Sequence, residues 1–191
     1  MEIKPKITLK QKGEKAAIPV TNFHAKMVWK VAVDLDLYAY YLVKPGMEPD
    51  KTGFFAKLFG GGKEKPEGRI FFGRRGNLNK FPWISLDQDA GVGDKGGDNE
   101  ENIRFAQLEL MQHVLIAANI FNKPDANFAS FDGHVVLAAD DQEIEIPLSS
   151  SETGSYCIIA HIDNSGDQPM LINVNKTQRD EPSIQDFLKN R

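Results

Sequence analysis

Apolar and polar residues alternate over short stretches along most of this chain, and these stretches are separated by Gly, Pro, Asn and Asp. Alternation with period two places one face of an extended segment against a core and the other towards water, so it predicts strands. On this basis strands are expected at residues 6–10, 16–20, 29–43, 69–72, 134–139 and 143–146. Residues 156–162 and 170–175, joined through Asn164, Ser165, Gly166 and Asp167, read as a closing hairpin. Lys44, Pro45 and Gly46 end the strong 29–43 run, and residues 140–142 read as a turn. Periodicity leaves 102–121 open between helix and strand: 114–118 is continuously apolar, as in a central buried strand, while 107–112 is able to turn helically. Many short strands with polar turns predict an all-β fold, an antiparallel β-sandwich with a short C-terminal helix. That helix follows Pro182, with Ser183 as its cap and Ile184, Phe187 and Leu188 on one face. A helix so short is marginal alone and must dock, and its own domain is the expected place. The expected organisation is a sandwich domain over 1–176, with an insertion at 50–68, and a tail over 177–191.

The insertion departs from the alternating pattern. Phe54, Phe55, Leu58 and Phe59 would form one face of a short helix, with Lys51 and Lys57 beside it. Such a segment either covers a sheet edge of its own domain or offers a docking element to an acidic partner or anionic lipid. A length of 191 residues, with 41% hydrophobic and 26% charged residues, suits one soluble domain with a real core. The net charge of −4 includes no basic stripe, so no nucleic-acid partner is expected. Cys157 is the single cysteine and lies in an apolar run, which predicts a buried thiol. No segment approaches about 18 consecutive apolar residues and the first residues lack a signal-peptide core, so a cytoplasmic location is expected.

Charge changes the picture at one place. Residues 85–102, SLDQDAGVGDKGGDNEEN, set Asp87, Asp89, Asp94, Asp98, Glu100 and Glu101 against a single Lys95 and space them with four glycines. Crowded carboxylates repel unless solvent or a cation separates them, so this is either a hard-cation site or a solvated connection. Within 29–40, WKVAVDLDLYAY, Asp34 and Asp36 fall on the polar side of the alternation. Aspartate is depleted in strands, so two at i and i+2 are either metal ligands or the wet face of a half-buried sheet.

VDLDLYAY, RIFFGRRGN at 69–77, GDKGGDNEENIRF at 93–105 and NIFNKPDANFASF at 119–131 occur in this order. The chain thereby resembles the TerD domain family of tellurite-resistance proteins over about residues 3–176. The resemblance implies a calcium-binding β-sandwich without catalytic activity, associated with stress responses, and it favours two strands within 102–121. It implies Asp34, Asp36, Asp94, Asp98, Asn99, Glu100 and Glu101 as calcium ligands, with Asn122 where relatives carry an acid. Other stress proteins or the inner membrane surface are the partners it implies. Two alternatives are a metal-dependent hydrolase and a sandwich that binds carbohydrate or lipid through calcium, using Trp83, Phe54 and Phe55.

Other chemistries find little footing. His24, His113, His134 and His161 show no metal or triad spacing and are expected to be surface or internally satisfied residues. Residues 87–92 open like an EF-hand loop but place Val92 where that loop needs glycine. Gly60 to Lys63 lacks the phosphate-cradling frame of a P-loop, and Ser149 to Ser151 lack a nucleophile elbow. Paired acids for glycoside cleavage would have to face each other across a cleft, whereas these cluster in one loop.

Overall fold

The computed structural model describes residues 6–19, 22–50, 61–87, 99–121, 126–139 and 142–191. Among them twelve strands form a sandwich of two six-stranded sheets. The first sheet has the order β1 (Lys6–Thr8), β10 (Gln142–Pro147), β9 (His134–Ala139), β3 (Phe23–Trp29), β7 (Asn99–Phe105) and β6 (Ile84–Leu86). The second has β2 (Lys15–Ala17), β12 (Met170–Gln178), β11 (Tyr156–Asp163), β8 (Met111–Ile120), β4 (Leu35–Val43) and β5 (Glu67–Ile70). Every pairing is antiparallel except that of β1 with β10.

Inward positions follow the alternation. Phe23, Ala25, Met27 and Trp29 of β3 meet Leu35, Leu37, Ala39 and Tyr41 of β4 in one buried cluster, together with Ile103, Phe105, Ile116 and Ile159. A second, smaller cluster lies on the outer face of the second sheet. Tyr38, Tyr40, Leu115, Ala117 and Ile158 are covered there by helix α1 (Ile184–Lys189) through Ile184, Phe187 and Leu188. Ser183 caps the helix, its hydroxyl accepting from the Asp186 N–H at 3.4 Å. The Tyr40 hydroxyl donates to Glu181, Arg69 pairs with the same carboxylate, and Gln185 donates to Glu67, so the approach to the helix is tied to β4 and β5.

The structure corrects the sequence reading in several places. The expected strand 29–43 is two strands in different sheets: β3 ends at Trp29, and a corner over 30–34 crosses to β4. In that corner the Val33 N–H donates to Val31 O at 2.7 Å, and the indole N–H of Trp29 donates to Val33 O at 2.8 Å. Val31, placed on the buried side by alternation, is 38% exposed. Strands β3 and β6 were not anticipated over 23–28 and 84–86. The open stretch 102–121 resolves into β7, a 3-10 turn at Leu108–Leu110 and β8. Cys157 is fully buried. The apolar group at 54–59 lies outside the described residues, as does most of the turn expected at 140–142.

Candidate metal centres

Asp34 closes the corner and Asp36 is the second residue of β4. With Leu35 and Leu37 directed into the core, the pleat turns Asp36 to the outer face of the second sheet, in register with Asn119. Asp36 is 4% exposed, and Asp34 Oδ1 and Asp36 Oδ2 have almost no solvent-accessible surface. The two carboxylates line a cavity of about 100 Å³ whose other walls are Phe72 and Phe121. The Phe121 N–H donates to Asp34 O at 3.1 Å, which fixes the end of β8 against the corner.

Glu101 reaches the same place from the other sheet. Alternation along β7 turns Asn99, Glu101, Ile103 and Phe105 inward. Strand β5 covers β4 only as far as Ala39, and the Leu37 N–H beyond it is taken by Glu101 Oε2 at 2.5 Å. That N–H belongs to the peptide joining Asp36 to Leu37, so the Glu101 carboxylate is tied to the backbone next to Asp36. The Tyr38 hydroxyl has its pKa pushed well up, first by burial, then by Tyr156 and Asp36 and, more weakly, by Glu101. Asn99 also points inward, donating through Nδ2 to Val31 O in the corner at 3.4 Å. The structure thus brings Asp34, Asp36, Asn99 and Glu101 to one end of the sandwich.

Glu100 is directed elsewhere. Alternation puts it on the outer surface of the first sheet, where it accepts from Asn102 and lies 3.7 Å from Lys26 Nζ. Asp94, Asp98 and Asn122 lie outside the described residues. The ligand chemistry that is described is oxygen-rich and carboxylate-dominated, which fits a hard cation such as calcium.

A second cluster was not anticipated. His113 and His161, expected to be scattered, meet on the outer face of the second sheet at its opposite end. Asp163 of β11 is in register with His113 of β8, and His161 lies two residues before Asp163 on the same face. His113 Nδ1 is 3.2 Å from His161 Nε2 and 3.3 Å from Asp163 Oδ1. Arg191 donates to His161 Nδ1 at 2.8 Å and to Asp163 Oδ2 at 3.0 Å. Ser165 orients the carboxylate, its N–H and hydroxyl both reaching Asp163 Oδ1. Burial, then the Arg191 charge and His113, push His161 down to about 3 against the pull of Asp163. Burial also lowers His113, with Asp163 opposing and Arg191 adding to the shift. Burial would raise Asp163, but the hydrogen bonds from Ser165 and Arg191 hold it down at about 2. Both imidazoles are therefore neutral at neutral pH, and the His113–Asp163 contact is not an ion pair there. In sequence these histidines stand 48 residues apart, and only the β8–β11 register joins them.

No family model matches this chain, and no curated protein matches it either. No helix of the described residues is long and apolar enough to cross a membrane.

Proposed function

We propose that the chain is a calcium-binding, non-enzymatic stress-response module of the TerD type, acting through contacts with proteins or a membrane surface. The observation that supports this most is the pair Asp34 and Asp36 lining one small cavity at the end of β4, with Glu101 of the other sheet bound to the adjacent Leu37 N–H. Two carboxylates side by side in a partly dehydrated place repel one another, and a divalent cation held by their oxygens offsets that repulsion. Asp34 and Asp36 would hold the ion, with Glu101 as a neighbouring acid that also ties β7 to β4.

Calorimetric titration of chelator-stripped protein with calcium and then magnesium, alongside thermal melts, tests this reading. The expected result is saturable binding that prefers calcium and stabilises the fold by about 2.7 kcal/mol at a hundredfold excess over Kd. Asp36→Asn should remove most of that gain. Equal stabilisation of wild type and Asp36→Asn by calcium would exclude these ligands.

A second reading, calcium-dependent attachment to anionic lipid, draws on Phe72 and Phe121. These rings are 44% and 62% exposed, stand 6.4 Å apart and flank the two aspartates. Sedimentation with phosphatidylserine vesicles only when calcium is present would favour it. The hydrolase alternative needs a positioned base beside the ion, and the described cavity wall, two acids and two phenylalanines, lends it no support.

A further inference from the structure

We propose that His113, His161 and Asp163 form a binding site for a transition-metal ion of the zinc class, and that the Arg191 guanidinium competes with the ion by holding the His161 proton on Nε2, the nitrogen that faces His113. The proposal is independent of the calcium reading, because it uses other residues and other donor chemistry. Two imidazoles and one carboxylate suit zinc, cobalt or nickel and do not suit calcium, which prefers oxygen alone.

Geometry carries the inference. One ligand atom from each of the three residues lies within 4.8 Å of the others. Zinc bonds near 2.0–2.2 Å in tetrahedral geometry place neighbouring ligand atoms about 3.4 Å apart. The 3.2 Å between His113 Nδ1 and His161 Nε2, and the 3.3 Å between His113 Nδ1 and Asp163 Oδ1, are already close to that edge length. Little movement of the backbone is required, because the ligands project from β8 and β11, two hydrogen-bonded central strands in fixed register. A supporting layer exists as well: Ser165 fixes the carboxylate, and the Phe187 ring packs 5.1 Å from the His161 ring.

The proton inventory of the cluster points the same way. Arg191 donates to His161 Nδ1, which places the imidazole proton on Nε2, facing His113 Nδ1. His113 Nδ1 must then accept, and the same lone pair faces the Asp163 carboxylate at 3.3 Å. Moving the His113 proton to Nδ1 satisfies the carboxylate but sets two N–H groups against each other. A metal ion accepting lone pairs from His113, His161 and Asp163 relieves this conflict. Arg191 is the exchangeable component: its side chain is 36% exposed, and its departure frees Asp163 Oδ2 and lets the imidazole proton move to His161 Nδ1, which leaves the Nε2 lone pair facing His113 for the ion.

The test is titration of the chelator-stripped full chain with cobalt, read by ligand-field absorption, with zinc competition. One equivalent of cobalt should bind with a tetrahedral-type spectrum and be displaced by zinc. His113→Gln should weaken binding by more than about a hundredfold, beyond what loss of a supporting group causes. Arg191→Ala, a change at a partly exposed side chain, should tighten binding by about tenfold, because a charge-assisted contact no longer competes. Asp36→Asn should leave the spectrum unchanged. Absence of saturable binding in both wild type and Arg191→Ala overturns the site, as does binding that survives His113→Gln or disappears in Asp36→Asn. An unchanged affinity in Arg191→Ala overturns the competitor role.

Discussion

His161 is fully enclosed, and its imidazole is faced by His113, Asp163 and Arg191. Its pKa falls from 6.5 to about 3 on folding, so the unfolded chain binds the extra proton between those values. The stability associated with neutral His161 is complete above about pH 6.5 and is lost as pH falls towards 3, with a slope of up to about 1.4 kcal/mol per pH unit. Asp163, held at about 2 against an ordinary 3.8, adds a further loss below about pH 4. Urea denaturation of metal-free protein at pH 7.5 and pH 5 should show this decline, and Arg191→Ala should reduce it by removing a charge that opposes His161 protonation. The burial of Cys157 was legible because it lies in an apolar run, and its thiol is pushed up to about 12, chiefly by burial. The pairing of His113 with His161 was not legible, since it depends on the cross-strand register of Asp163 with His113.

Among the elements, the 29–43 segment shows where pattern reading misleads. Trp29, Val33 and Leu35 are buried at odd positions on both sides of the corner, and Val31 is the only odd position between them that is exposed, so the apolar pattern in sequence runs on through a change of sheet. The turn is made by short-range bonds, Val33 to Val31 and Trp29 to Val33, that leave no Gly or Pro signature. Glu100 and Glu101 show the complementary case: the period of two in β7 separates adjacent acids onto opposite faces, a distinction available only once β7 is known to be a strand. The C-terminal helix was legible in Ser183, Ile184, Phe187 and Leu188, because a cap followed by i, i+3, i+4 spacing is a local signal. Its docking face was not, since Tyr38, Tyr40 and Leu115 come from distant strands. Ile184, 5% exposed, anchors the helix on that face, and Ile184→Ala should cost about 2–4 kcal/mol in chemical denaturation. A change below 0.5 kcal/mol, the scale of an ordinary surface substitution, would mean that the helix contributes little to the fold.

Across the whole molecule, the outer face of the second sheet carries the two candidate centres at opposite ends. Asp36 pairs with Asn119, Tyr38 with Ala117, Tyr40 with Leu115 and Leu42 with His113, so the face runs from carboxylates through tyrosines to histidines. Asn119 and His113 are six positions apart along β8, roughly 20 Å at strand rise. Sites so far apart with no shared ligand should act additively. In thermal melts the stabilisation by calcium together with zinc should equal the sum of the separate gains within about 0.5 kcal/mol, and a larger deviation would reveal coupling through the helix-covered middle of the face. The corner at 30–34 also gives the protein an optical property. Trp29 is fully enclosed and its indole N–H rests on Val33 O, one residue before Asp34. Indole emission responds to what the N–H touches and to the water around the ring. An ion held by Asp34 would act one residue from the carbonyl that accepts from the indole, so Trp29 offers a native fluorescence reporter for the acidic end of the sandwich.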